Sequence, residues 1–140
     1  MALLALLLAL SASASTWTAF DAAGFEAAKR ADRIVLLQFL DRDCTACAEQ
    51  DKVLSRIFWG SARTDWQGYQ VDLVRNPEVA RAFGVSGRST LVLLKGTREV
   101  ARTVGIIQTS ELNAFLRQAD IPEPRGRAPA RPRNRLPPRP

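Results

Sequence analysis

An α/β fold is predicted for this chain by three features of its residue order. Ile34-Val-Leu-Leu-Gln-Phe-Leu40 is an almost unbroken apolar run, with the length and flanks of a strand covered on both faces, as central strands of parallel or mixed sheets are. Segments with helical spacing stand on either side of it and recur down the chain. Near the end, Lys95-Gly-Thr-Arg98 separates two further strand-like runs as a hairpin turn would. At 140 residues and 46% hydrophobic composition, the chain fits one domain with a real core and is not disordered as a whole.

The elements follow in order. Asp21 to Ala31 reads as a helix, with Asp21 placed as its N-cap and Phe20, Ala23, Ala27 and Ala31 near one face. Ile34–Leu40 is the covered strand, and within it Gln38 is the anomaly. A second helix runs from about Cys44 to Phe58, where Cys47, Leu54 and Phe58 share a stripe with Val53 and Ile57 beside it. Tyr69 to Val74 is a strand. Asn76-Pro77-Glu78 opens a short helix with a cap, a proline at the first position and an acid in the first turn, and Gly84 closes it. Leu91–Leu94 and Glu99–Val104 are the hairpin strands. Thr109 to Ala119 is the last helix, turning Leu112, Phe115, Leu116 and Ala119 to the core.

Both ends differ from this middle. MALLALLLAL followed by Ser-Ala-Ser-Ala-Ser has the form of an export signal over 1–14, with Ala12 and Ala14 suited to the −3 and −1 positions of a cleavage site. The run is shorter than the ~20 residues that span a bilayer. Against a typical signal, no Lys or Arg precedes Lys29. A cleaved signal and a periplasmic or secreted location are the expectation, against an uncleaved anchor or a misplaced start. At the other end, 122–140 holds seven of the eight prolines and six arginines against Glu123 alone, the composition of a disordered tail. The net charge of +6 belongs mostly to that tail, because 14 basic and 13 acidic residues precede Pro122. A nucleic-acid-binding domain is therefore not indicated. The tail itself is suited to contact acidic surfaces.

The only two cysteines stand three apart in Asp41-Arg-Asp-Cys-Thr-Ala-Cys47. As a structural staple, so short a loop removes little unfolded-state entropy, about 2 kcal/mol. As a metal site, two thiolates need two further ligands. The chain has no histidine and no third cysteine, leaving carboxylates such as Asp41, Asp43 and Glu49 or a second subunit's pair. As a redox couple, the spacing has a physical basis. A helix N-terminus stabilises the thiolate of Cys44, while Cys47, one turn inside, is placed to attack a mixed disulfide formed there. The redox reading is preferred. It calls for no metal and no cofactor beyond the sulfurs.

In this order the core, from Ser15 to Ile121, resembles the thioredoxin family. The apolar strand enters Cys44-Thr-Ala-Cys47 at a helix start, and Asn76-Pro77, Phe83-Gly-Val85, Gly87, Thr90-Leu91, Lys95-Gly96 and Val104-Gly105 fall at the family's usual spacings. The resemblance implies a thioredoxin-like fold, a central mixed β-sheet flanked by α-helices, with the dithiol exposed at a strand-to-helix turn. It also implies a thiol–disulfide oxidoreductase acting on a protein disulfide or dithiol, and recharged by a soluble or membrane-held thiol donor.

Three departures qualify that implication. Ser89 stands where the family places a cis-proline, and a cis bond before a non-proline costs about 3 kcal/mol, so Arg88–Ser89 is expected to be trans. Ser89 is then either a hydroxyl on the substrate side of the groove or a tolerated loop substitution, and its neighbour Arg88 either meets an anionic partner there or is simply solvated. Gln38 occupies the position of a buried acid that takes the inner thiol's proton, and it cannot do so. Asp43 replaces the tryptophan common before the motif, and Trp59 and Trp66 are read as packing residues rather than substitutes. Asp41 and Asp43 place negative charge near Cys44, only partly offset by Arg42. Charge of that sign disfavours the thiolate and with it the reduced form, which tilts the couple towards reductase or isomerase rather than oxidase. The competing reading is a redox-silent binding module built on the same fold.

Overall fold

The computed structural model describes residues 15–60 and 65–120. The expected signal over 1–14 and the expected tail over 122–140 lie outside the described residues. The chain runs β1 (Thr16–Ala19), α1 (Ala22–Arg30), β2 (Ile34–Leu40), α2 (Thr45–Gly60), β3 (Trp66–Asp72), α3 (Pro77–Phe83), β4 (Thr90–Lys95), β5 (Arg98–Val104) and α4 (Thr109–Leu116), with a 3₁₀ turn over Arg117–Asp120. The five strands form one mixed sheet in the order β1-β3-β2-β4-β5. β1 and β2 flank β3 in parallel, while β2–β4 and β4–β5 are antiparallel.

β2 is central, and its alternation divides the core in two. Val35, Leu37 and Phe39 join Phe25 of α1, Val79 and Phe83 of α3, and Val92 and Leu94 of β4. Ile34 and Leu36 point the other way, against Leu54 and Phe58 of α2 and Leu112, Phe115 and Leu116 of α4. Period two places Gln38 on this second face, the side of the cysteine helix. Both faces of β2 are thus covered, as its apolar run predicts.

Local stops agree with the sequence at several points. Asp21 caps α1 by accepting a 2.7 Å hydrogen bond from the Gly24 N–H. Pro77 opens α3, and Gly84 ends it with φ of 62°, the left-handed conformation that glycine adopts without steric cost. Asn76 precedes α3 as expected, but its side chain makes no capping hydrogen bond.

Elsewhere the structure corrects the sequence reading. Strand β1 has no counterpart in that reading; only Trp17 of its four residues is buried, and parallel pairing with β3 makes it a strand. In α1 the buried residues are Phe25, Ala28 and Lys29, while Ala23, Ala27 and Ala31 face solvent. The reason is size. One aromatic ring in the core outweighs a row of methyl groups, so Phe25 sets the helix rotation. Strand β3 starts earlier than expected, at Trp66, and ends at Asp72, leaving Val74 80% exposed. Trp66 packs in the core, but Trp59 is 75% exposed and is not a packing residue. The last helix shortens to Leu116 and finishes as the 3₁₀ turn, still carrying Ala119 against the core.

Candidate functional site

The dithiol lies where the central strand gives way to α2. Leu40 ends β2, Asp41 turns the chain by accepting the Asp43 N–H at 3.0 Å, and Cys44 immediately precedes the first residue of α2. The Cys44 carbonyl accepts the Ala48 N–H at 3.1 Å, and its sulfur accepts the Cys47 N–H, also at 3.1 Å. Cys44 Sγ therefore meets a helix N-terminal amide, a donor with no partner inside the helix. The two cysteines form a disulfide with Cα atoms 5.2 Å apart. Cys44 is the more accessible, at 8% against 3%, but both are buried. The exposed dithiol implied by the family resemblance is corrected on this point: the pair sits in a shallow recess.

Beneath the sulfurs lies a buried amide chain. Gln38 is fully buried, and its Nε2 donates to the Cys47 carbonyl and to Gln50 Oε1, each at 3.1 Å. Gln50, fully buried on α2, donates through Nε2 to the carbonyls of Ile106 at 2.9 Å and Ser89 at 3.5 Å. Gln38 Oε1 has no hydrogen-bond partner among the described residues, and neither has the Ser89 hydroxyl. Gln38 is thus only half satisfied as a core amide. Sequence reasoning finds Gln38 and misses Gln50. The signal is present: Gln50 falls between Cys47 and Leu54 in the apolar stripe of α2, where a polar residue has no reason to be unless it is bonded.

Ser89 closes the recess from the other side. No peptide bond among the described residues is cis, and Ser89 takes φ of 61°, a region where a residue with a Cβ is uncommon. Its carbonyl also accepts the Gly105 N–H at 2.9 Å. Arg88, next to it, reaches across the recess to Asp41 at 3.4 Å. So the cation that answers Asp41 comes from the opposite loop, a part that the sequence reading assigns to Arg42. The pair is substantially exposed and adds about 1 kcal/mol or less. Asp43 is exposed at the rim. The structure therefore brings together Gln38, Asp41, Asp43, Cys44, Cys47, Arg88 and Ser89 around one recess. Among the described residues no group of three or more His, Cys, Asp or Glu side chains is arranged to hold a metal ion.

Comparison with known proteins agrees with this geometry. The thioredoxin family profile matches residues 16–118. Thioredoxin C-3 of Corynebacterium nephridii is 43% identical over 49 residues, a stretch that spans 35% of this chain and 34% of that protein. Among solved structures, Trxlp of Edwardsiella tarda superposes with a TM-score of 0.69 at 28% identity, covering 72% of this chain and 98% of its own. A mutant thioredoxin of Halobacterium salinarum gives 0.66 at 22% identity, covering 81% and 97%; at that identity the likeness is one of fold. A thioredoxin fold carrying an intact Cys-x-x-Cys pair points to thiol–disulfide redox activity. The chain belongs to the thioredoxin family.

Proposed function

We propose that this protein is an exported thiol–disulfide oxidoreductase that reduces or isomerises a disulfide in a protein partner. The observation that carries the reading is the first turn of α2, where Cys44 Sγ accepts the Cys47 N–H and Cys47 lies deeper beneath it. In the reduced form the same amide and the aligned helix dipole favour the Cys44 thiolate. That thiolate attacks one sulfur of the partner's disulfide, forming a mixed disulfide and releasing the other sulfur as a thiolate. The Cys47 thiolate then attacks Cys44 Sγ, which forms the Cys44–Cys47 disulfide and releases the partner's second sulfur. Two electrons pass to the partner, and a soluble or membrane-held dithiol returns them to this protein.

The residues around the sulfurs shape each step. Cys47 must lose its proton before it attacks, and Gln38 cannot accept one, so the released thiolate or solvent takes it. Arg88 and Ser89 line the side of the recess where a partner's backbone would lie, and Arg88 can exchange Asp41 for an acid on the partner. Asp43, with Asp41 only partly answered by Arg88, disfavours a highly stabilised thiolate, which fits a reductase or isomerase better than an oxidase. The arginines of 122–140 supply a second, electrostatic contact for an acidic surface.

A redox-silent binding module is the second reading, favoured by Gln38 and Ser89 standing where an acid and a proline would serve catalysis. Turnover of insulin disulfides with a chemical reductant separates the two. The oxidoreductase reading expects activity that Cys44→Ser abolishes; no turnover above the reductant alone would leave the binding module.

A further inference from the structure

We propose that Gln50 is a positioning residue, which ties the Ser89 and Ile106 segments to the cysteine helix so that a protein disulfide is docked in register with Cys44. The proposal rests on the oxidoreductase reading above and concerns how the partner's chain is held rather than the sulfur chemistry.

Gln50 lies one turn beyond Cys47 and is the one polar member of the buried set Cys47, Gln50, Leu54 and Phe58 on α2. An apolar side chain would fill that place without the cost of burying an amide. The amide is instead bonded at both ends. Its Oε1 accepts Gln38 Nε2 at 3.1 Å, and its Nε2 donates to Ile106 O at 2.9 Å and to Ser89 O at 3.5 Å. One side chain thereby joins β2, α2, the segment before β4 and the segment after β5.

What it holds could not easily hold itself. Ser89 sits in the left-handed region at φ of 61° and is 5% exposed. Its hydroxyl oxygen has no hydrogen-bond partner among the described residues. The side chain therefore gives the backbone no support, which is left to the Thr90 hydroxyl donating to the Gly87 carbonyl at 2.6 Å and to donors to the Ser89 carbonyl. Those donors are the Gly105 N–H at 2.9 Å and Gln50. Gly105 and Ile106 in turn stand between Val104 and Ile107, which are 63% and 40% exposed. Gln50 thus bonds the Ile106 segment to the cysteine helix directly and the Ser89 segment through a longer contact, with Gly105 joining the two segments. A small disulfide can reach Cys44 without those segments; a polypeptide cannot.

The test compares kcat/KM for insulin disulfides with that for a small aromatic disulfide, using the full chain and a chemical reductant. Gln50→Leu is expected to lower the insulin value about tenfold more than the small-disulfide value, a difference of ~1.4 kcal/mol in the barrier. Ser89→Gly added to Gln50→Leu is expected to recover at least about threefold of that loss, because glycine takes the left-handed conformation without steric cost. Equal losses on both disulfides, with no recovery from Ser89→Gly, would overturn the proposal and leave Gln50 a core amide.

Should Gln50→Leu not fold, Gln50→Glu decides. A protonated glutamic acid can donate to Ile106 O and accept from Gln38, whereas its carboxylate repels both carbonyls. Burial favours the protonated form. The ratio of insulin to small-disulfide turnover should rise as pH falls from about 8.5 to 6.5, and a ratio as flat as that of the wild type would overturn the proposal. A wild type inactive on both disulfides would instead sink the oxidoreductase reading itself, and this proposal with it.

Discussion

Two sulfurs three residues apart are made unequal by one hydrogen bond and a difference in depth. Cys44 Sγ accepts a helix N-terminal amide and is the more accessible of the pair. In the reduced protein at neutral pH, a limiting amount of iodoacetamide should therefore label Cys44 and spare Cys47. Peptide mapping checks this; preferential labelling of Cys47 would reverse the roles. Gln38 sets a second expectation. A positioned base contributes 10²- to 10⁴-fold to proton transfer, and an amide contributes none of it. Resolution of a mixed disulfide trapped at Cys44 should thus be slow near pH 7 and accelerate as pH rises. Gln38→Asp should speed it at neutral pH and flatten the profile, while costing stability through lost bonds to Cys47 O and Gln50. Single-turnover kinetics from pH 6 to 9 would show both. The cysteines, Gln38 and Ser89 are all legible in the sequence, because each breaks an expected pattern at its position. Gln50 leaves a weaker mark, a polar residue in the apolar stripe of α2, whose meaning shows only with its partners, 39 and 56 residues away.

At the scale of elements, long apolar runs and glycine stops are readable, and short edges are not. β2, β4 and the Gly84 stop follow from local composition. β1 does not, because four residues with one buried side chain carry too weak a period to identify. Its place is fixed from outside, by pairing Trp17 with Gly68 and by the Trp17 Nε1–H donating to Asp51 at 2.8 Å. Asp51 Oδ1 also accepts Gln70 Nε2 at 2.6 Å, so the same carboxylate holds β1 and β3 to α2. A Cβ on Gly68 would collide with the Trp17 ring and approach Phe58. Gly68→Ala should therefore push β1 off the sheet and destabilise the fold by about 1–3 kcal/mol, the usual cost of overpacking. Urea unfolding followed by tryptophan fluorescence measures it, and an unchanged midpoint would show that β1 yields freely.

For the molecule as a whole, the expected redox turnover and the arginine-rich end should be separable. Truncation after Ile121 should leave turnover of a small disulfide intact, since the described residues around the recess lie between Gln38 and Ile107. Loss of that turnover would place part of the site in 122–140. Global stability should also respond to alkali. Burial pushes the Tyr69 phenol above its ordinary value of 10.0, the Asp21 carboxylate adds to the shift, and Arg33 opposes it. Between those two values the unfolded chain has released a proton that the folded chain keeps, so stability falls as pH rises through the window and is unaffected below it. Urea midpoints from about pH 9 to 11 should decline, and Tyr69→Phe should decline less.

Among the described residues the sheet ends on β5, whose seven residues have no neighbouring strand on one side of their backbone. Edges of this kind invite a second molecule to extend the ladder, which is how aggregation begins. Here the edge carries Arg98, Glu99 and Arg102, and the pairing with β4 slips between Leu93 and Leu94. Arg102 is drawn down onto Glu99 at 2.8 Å and onto the Phe83 carbonyl at 2.7 Å. An incoming copy would have to strip these charges of water while matching an irregular register. The charged, irregular edge thus discourages sheet-to-sheet association along its length.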